Sequence, residues 1–167
     1  MLYTGNMAAP VQRRYQIFID RPPQAVFDFH ANLKNHLRIC PPEMPEEVVS
    51  GLDEPLGEGA RVTFRARHGG VWRTLEAEII EWDPPRGFTD RQVSGPFASW
   101  LHRHRFVPFQ TGTLMTDQIE YTLPAGPLGA LAEKLWLGGH LDTFFNHRQS
   151  EAKRLLEQVT RIKGRGV

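Results

Sequence analysis

Apolar and polar positions alternate along most of residues 11–123, the period of two that a strand imposes, and switch to helical spacing after Pro124. Gln12 to Asp20 reads as a first strand with Tyr15, Ile17 and Ile19 on one face. Asp20, standing before Arg21-Pro22-Pro23, marks a helix start, and two short helices are predicted, Ala25 to Ala31 and Asn32 to Ile39, stopped by Pro41-Pro42. Glu46 to Leu52 is a short strand. Ala60 to His68 sets Ala60, Val62, Phe64 and Ala66 on one side, Gly69-Gly70 forms a hairpin turn, and Val71 to Asp83 returns with Leu75, Ala77, Ile79 and also Arg73 facing inward. Phe88 to Ser94 is a further strand.

The longest hairpin runs from Gly95 to Pro124. Trp100, His102, His104 and Phe106 share one face of its first arm, and Met115, Asp117, Ile119, Tyr121 and Leu123 one face of its second. A turn at Thr111-Gly112 sets Phe106 against Asp117, His104 against Ile119 and His102 against Tyr121. Pairing the Phe88 strand with Phe88 against Phe106 sets Asp90 opposite His104 and Gln92 opposite His102. A polar band of carboxylates and imidazoles therefore crosses a face that is otherwise apolar, where each buried charge needs a partner.

From Pro124 to about Ile162 the spacing is helical. Leu128, Leu131, Ala132 and Leu135 mark one stripe; Leu141, Phe145, Ala152, Leu155, Leu156 and Val159 mark another, about 120° out of phase at 100° per residue. Gly138-Gly139 lies between them, so a break is predicted there, ahead of the main helix. Strand, two short helices, six more strands and a long helix make an α+β fold, a curved seven-stranded antiparallel sheet wrapped on the C-terminal helix. One domain spans 11–163, with a loose leader at 1–10 and a tail at 164–167.

Composition narrows the partners. A net charge of +1 at pH 7 argues against nucleic acid, and no apolar run approaches the ~20 residues of a membrane span. The single cysteine, Cys40, fits a reducing compartment and a cytoplasmic address, and reads as an incidental thiol.

Three segments carry a resemblance: Phe88-x-Asp90-x-Gln92 with Gly95-Pro96-Phe97-x-x-Trp100-x-His102-x-His104-x-Phe106; Gly112-Thr113-x-Met115-x-Asp117-x-x-x-Tyr121-x-Leu123-Pro124; and Phe145-x-x-Arg148. Over residues 11 to 160 the chain resembles the helix-grip proteins of the SRPBCC superfamily, which includes START lipid-transfer domains, the birch-pollen allergen group and polyketide aromatase/cyclases. Within it, the chain is similar to small bacterial ligand-binding members. The resemblance implies an apolar cavity between sheet and helix, and names no reaction.

The inward polar residues admit four roles: a structural network, an anchor for the head of an apolar ligand, acid/base catalysis by Asp90 and His104 with Tyr121 donating a hydrogen bond, and metal chelation by His102 and His104. Spacing places no third metal ligand, so no metal and no cofactor is assigned. Arg148 falls within the apolar stripe of the long helix and is expected to pair with Asp117 or Asp90, or to hold a ligand carboxylate at the cavity mouth. The expected function is binding of a small apolar or amphipathic molecule. Phe64, Leu75, Trp100, Phe106, Met115, Leu141 and Phe145 supply apolar contact; Asp90, Gln92, His102, His104, Asp117, Tyr121 and Arg148 supply orientation. The alternatives are a cyclase, dehydratase or hydrolase in the same cavity, and a partner-binding module without a small ligand.

Overall fold

The computed structural model describes residues 9–163 apart from 53, 54, 69 and 125; most of the leader read over 1–10, and the tail 164–167, lie outside the described residues. The elements are β1 (Val11–Ile19), α1 (Pro23–His30), α2 (Leu33–Arg38), β2 (Glu46–Ser50), β3 (Arg61–His68), β4 (Val71–Asp83), β5 (Gly87–Ser94), β6 (Ser99–Phe109), β7 (Gly112–Thr122), α3 (Gly126–Ala132), a π-helical turn (Glu133–Leu137) and α4 (Gly138–Lys163). The strands form one antiparallel sheet in the order β1-β7-β6-β5-β4-β3-β2, with β1 returning beside the last strand. Register shifts at Glu76/Ala77 and Ile79/Glu81 in β4 and at Val48/Ser50 in β2 bend the sheet toward α4, as bulges do.

The core is packed solid over β1, β7 and the Phe106 end of β6. Ile19, Phe106, Met115, Ile119 and Tyr121 are all fully buried. Phe27 of α1 meets Phe88 and Phe106 edge-on, each at 6.1 Å between ring centroids, and closes one end of the core. Asp20 does not cap α1: Pro22 holds the N-cap position and Asp20 instead accepts a 2.8 Å hydrogen bond from the Thr111 hydroxyl.

Two predicted registers are corrected, each by two residues. In the β6–β7 hairpin the turn is Gln110-Thr111, so Phe106 faces Met115, His104 faces Asp117 and His102 faces Ile119. Gln110 takes the left-handed conformation (φ 52°). Gly112 is needed for another reason: a Cβ there would collide with the Ile19 carbonyl at the end of β1. In the β5–β6 pair, Phe88 faces His104 and Asp90 faces His102, because Gly87 (φ 153°) packs without a side chain onto the His104 carbonyl. A slip of two leaves every side chain on its predicted face.

The irregularity expected at Gly138-Gly139 takes the form of the π-helical turn, which ends at Gly138 where α4 starts. Such a turn adds about one residue to the helix, rotating the downstream residues by about 100°. The first stripe does not face the core, however: Leu128, Leu131 and Leu135 are exposed. Glu133 is held by Arg13 and Tyr121, and this charged clamp sets which face of the segment turns inward.

Two glycines separate these effects. Gly112→Ala is expected to lower stability by roughly 1–3 kcal/mol, since the colliding atom is backbone. Gly139→Ala, in α4 with open space around its Cβ, is expected to raise it by about 0.5–1 kcal/mol. Urea denaturation of both variants checks the opposite signs.

Candidate functional site

The β2 to β5 side of the grip stands away from α4 and encloses a cavity of about 780 Å³. Alternation puts Val62, Phe64 and Ala66 of β3, Leu75, Ala77 and Ile79 of β4 and Phe88 of β5 on its sheet wall. Leu141, Phe144 and Phe145 of α4 form the opposite wall. Val71, Arg73, Pro124 and Trp136 line the cavity and are also exposed, which puts its mouth between the β3–β4 hairpin and the π-helical turn.

The polar band is built around Asp117, only 3% exposed at the centre of β7. His102 Nε2 lies 3.0 Å from its Oδ1, and Gln149 Nε2 donates to its Oδ2 at 2.8 Å from α4. His104 Nδ1 also lies 3.0 Å from Oδ1, but off the hydrogen-bonding direction, and keeps no hydrogen bond. The other ring nitrogens face Asp90: His102 Nδ1 stands 3.7 Å and His104 Nε2 3.5 Å from its Oδ2. The imidazoles lie 3.8 Å apart between centroids. Burial alone would raise both carboxyls, but the imidazoles hold Asp90 low and Asp117 well below the usual carboxylate range. Burial and the neighbouring ring push His102 down; for His104 the two carboxylates overcome burial and push it up. Of the two rings, His104 therefore takes up a proton more readily than His102.

Arg148 is buried in the apolar stripe, as its position predicts, but its partner is neither Asp117 nor Asp90. Its Nη2 donates to His36 Nδ1 at 2.9 Å, His36 Nε2 lies 2.7 Å from Glu46 Oε2, and Arg148 Nη1 lies 3.5 Å from that same oxygen. One tautomer satisfies all three groups, with His36 accepting from Arg148 and donating to Glu46. The Cys40 thiol also donates to Glu46 at 3.1 Å; burial pushes its pKa up, so the thiolate is disfavoured.

Of the expected ligand-binding residues, Phe64, Leu75, Asp90, Trp100, His102, His104, Leu141, Phe145 and Arg148 line the cavity. Five are elsewhere. Gln92 braces the β5–β6 loop through the backbone of Phe97. Phe106 and Met115 belong to the packed core. Asp117 stands behind the two histidines. The Tyr121 hydroxyl accepts from Arg13 at 3.1 Å and donates to Glu133 at 2.8 Å, so it is committed away from the Asp90–His104 pair.

Several side chains at the site escaped the sequence pattern. His30 lines the cavity with a buried Nε2 that has no hydrogen-bond partner, and burial lowers its pKa to about 3. It lies four residues after Val26 and three after Phe27, on the buried face of α1. Gln149 likewise falls four after Phe145 and three before Ala152, inside the buried stripe. His36 and Glu46 become partners only when β2 folds over α2, which no local spacing announces.

The family model described as polyketide cyclase / dehydrase and lipid transport matches residues 11–147. No curated protein matches the chain. Among solved structures, TTHA0849 from Thermus thermophilus is similar at a TM-score of 0.71 and 20% identity, covering 89% of this chain and 99% of that one. Ms6760 from Mycobacterium smegmatis follows at 0.61 and 18%, covering 91% and 92%. Ara h 8.0201 is similar at 0.62 and 11%, covering 89% and 99%. These likenesses establish the fold. Among the described residues, no helix is long and apolar enough to cross a membrane.

Glu46 gives the site an acid limit. Burial would raise its pKa, but the His36 hydrogen bond and the Arg148 charge hold it at about 2 against an ordinary 4.5. A depressed carboxyl stabilises the fold fully above 4.5, and that stabilisation is lost as pH falls toward 2. Glu46→Gln is expected to cost roughly 2–4 kcal/mol at pH 7. The gap to the wild type should narrow between pH 4.5 and 3, measured by urea denaturation at each pH.

Proposed function

The chain belongs to the polyketide cyclase / dehydrase and lipid transport family, within the SRPBCC superfamily, and on that premise we propose that it binds a small, largely apolar molecule between the sheet and α4. The observation that carries this is the cavity itself: about 780 Å³ lies within the ~300–1,000 Å³ of small-molecule sites. Its composition supports the same reading. Aliphatic and aromatic side chains surround the body of the ligand, giving roughly 25 cal/mol per Å² buried before the costs of association. Most of the polar groups are gathered on two patches of the wall, Asp90 with His102 and His104, and Arg148 with His36 and Glu46. Such gathered polarity fixes the orientation of a molecule that is otherwise held without direction. A module that binds only a protein partner has no use for an internal volume of this size. The lone, half-buried thiol of Cys40 is consistent with work in a reducing compartment such as the cytoplasm.

A second reading, an enzyme of the cyclase, dehydratase or hydrolase kind, draws on one observation. Asp90 and His104 face each other at 3.5 Å on the cavity wall, where a carboxylate and an imidazole can exchange a proton with a bound substrate. Tyr121 has no part in it, because its hydroxyl serves Arg13 and Glu133.

Cavity filling tests the binding reading. Ala77 is buried on the sheet wall, and Ala77→Phe puts a ring into the void without touching the polar groups. A naphthalene-sulfonate fluorophore is expected to bind the wild type saturably and the variant at least tenfold more weakly, with the two melting alike. Equal affinity in both proteins would overturn an internal site.

A further inference from the structure

We propose that Asp90, His102 and His104 form a binding site for a divalent transition ion of the zinc class, with Asp117 orienting the His102 imidazole and the fourth coordination position open to the cavity. The site stands independently of which apolar molecule fills the rest of the volume.

Geometry carries the proposal. The three side chains bring ligand atoms within 4.8 Å of one another, all three line the cavity, and each comes from the centre of a strand, Asp90 directly across from His102. The gaps of 3.7 and 3.5 Å from Asp90 Oδ2 to the two ring nitrogens are too long for good hydrogen bonds. They are close to the ~3.4 Å that separates two ligands of a tetrahedral ion with bonds of ~2.0–2.2 Å. Strand positions also hold these side chains more rigidly than a loop does.

The shell behind the ligands fits the same purpose. Metal-bound histidines hand their other ring nitrogen to a carboxylate, which fixes the tautomer and aims the lone pair. Asp117 stands in that place for His102, whose Nε2 is hydrogen-bonded to its Oδ1 at 3.0 Å; the same oxygen lies 3.0 Å from His104 Nδ1 without a hydrogen bond. Gln149 holds the second oxygen of Asp117 from α4. Once His102 donates Nε2–H to Asp117, its Nδ1 presents a lone pair toward the Asp90 carboxylate. Two electron-rich groups facing each other in a buried site call for a cation between them. With both imidazoles neutral, the two carboxylates match the charge of a divalent ion.

The cavity side supplies a fourth partner. His30 Nε2 is buried without a hydrogen bond, and its ring, from α1, lies 6.1 Å from that of His104 at the edge of the same cavity. It is too far to join the ligand set and is placed to hydrogen-bond whatever occupies the open position. The occupant class is therefore a water, or an apolar molecule carrying an oxygen donor such as a carbonyl, phenolate or carboxylate. The other cluster of metal-binding residue types, His36, Cys40 and Glu46, does not compete, because the Arg148 guanidinium already holds the His36 and Glu46 atoms that an ion would use.

The test uses the full chain, stripped with a chelator and titrated with Co²⁺, whose visible d–d bands report coordination. One equivalent is expected to bind with the intense bands of a four- or five-coordinate ion, without a thiolate charge-transfer band, and to be displaced by Zn²⁺. Asp117→Asn should weaken Co²⁺ binding ~10–100-fold, and His102→Ala and Asp90→Ala by more than that. Cys40→Ser should leave it unchanged. No saturable spectrum, a thiolate band, or binding that survives both His102→Ala and Asp90→Ala would overturn the site. If those variants melt differently from the wild type, proton NMR of the wild-type Co²⁺ protein decides: paramagnetically shifted resonances from two imidazoles are expected, and none would refute the proposal.

Discussion

A carboxylate buried beneath a helix must be supplied with donors or be neutralised, and Asp117 is supplied from two directions. Its sheet neighbour β6 brings His102, with His104 in contact, and α4 brings Gln149. These contacts fix both the sheet beneath the helix and the azimuth at which the helix lies across it. Isolated burial of such a charge is prohibitive, so competing registers that separate Asp117 from its partners are excluded more sharply than apolar packing alone would exclude them. The same carboxylate divides the interior. On one side of it the aromatic core closes completely; on the other the wall opens into the cavity.

That opening has a topological origin. Hairpins placed in sequence leave β2, β3 and β4 at the far edge from β1, and the bulges in β4 curl this edge around α4 with the cavity left between β3, β4 and the helix. The volume is defended at both ends by charged clamps instead of by apolar packing. Arg148, His36 and Glu46 tie α4 to α2 and β2. Arg13 ties β1 to Glu133 at the start of the π-helical turn and to Asp142 of α4, and Gly138 is small because that guanidinium passes where its Cβ would be. Ion pairs of this kind act at a distance that side-chain packing does not reach, so they can hold two layers apart as well as together.

The faces of the strands were legible in the sequence because alternation depends on nothing beyond the strand itself. Register was less so. Gly112 looks like a turn residue, but it is small for the sake of a neighbouring strand that lies far away in sequence, and the turn falls one position earlier on Gln110. The resulting slip is even, which is why the polar band persists with different partners. The need of Arg148 for an acid was also readable from its place in an apolar stripe; its choice of Glu46 was not, since it depends on how a five-residue strand lies over a short helix. The exposed leucines of α3 show the converse. Their spacing signals a buried face, yet an ion pair made one turn later decides the rotation of the whole segment.

A void of this volume also changes what the stability of the protein means. The unfolded chain has no cavity, so anything that enters it adds RT ln(1 + [L]/Kd) to the folded state, about 2.7 kcal/mol when its concentration is a hundred times its dissociation constant. The margin of a typical domain is itself only about 5–15 kcal/mol. The melting temperature is therefore not a constant of the sequence; it registers the chemical surroundings in which the chain happens to fold.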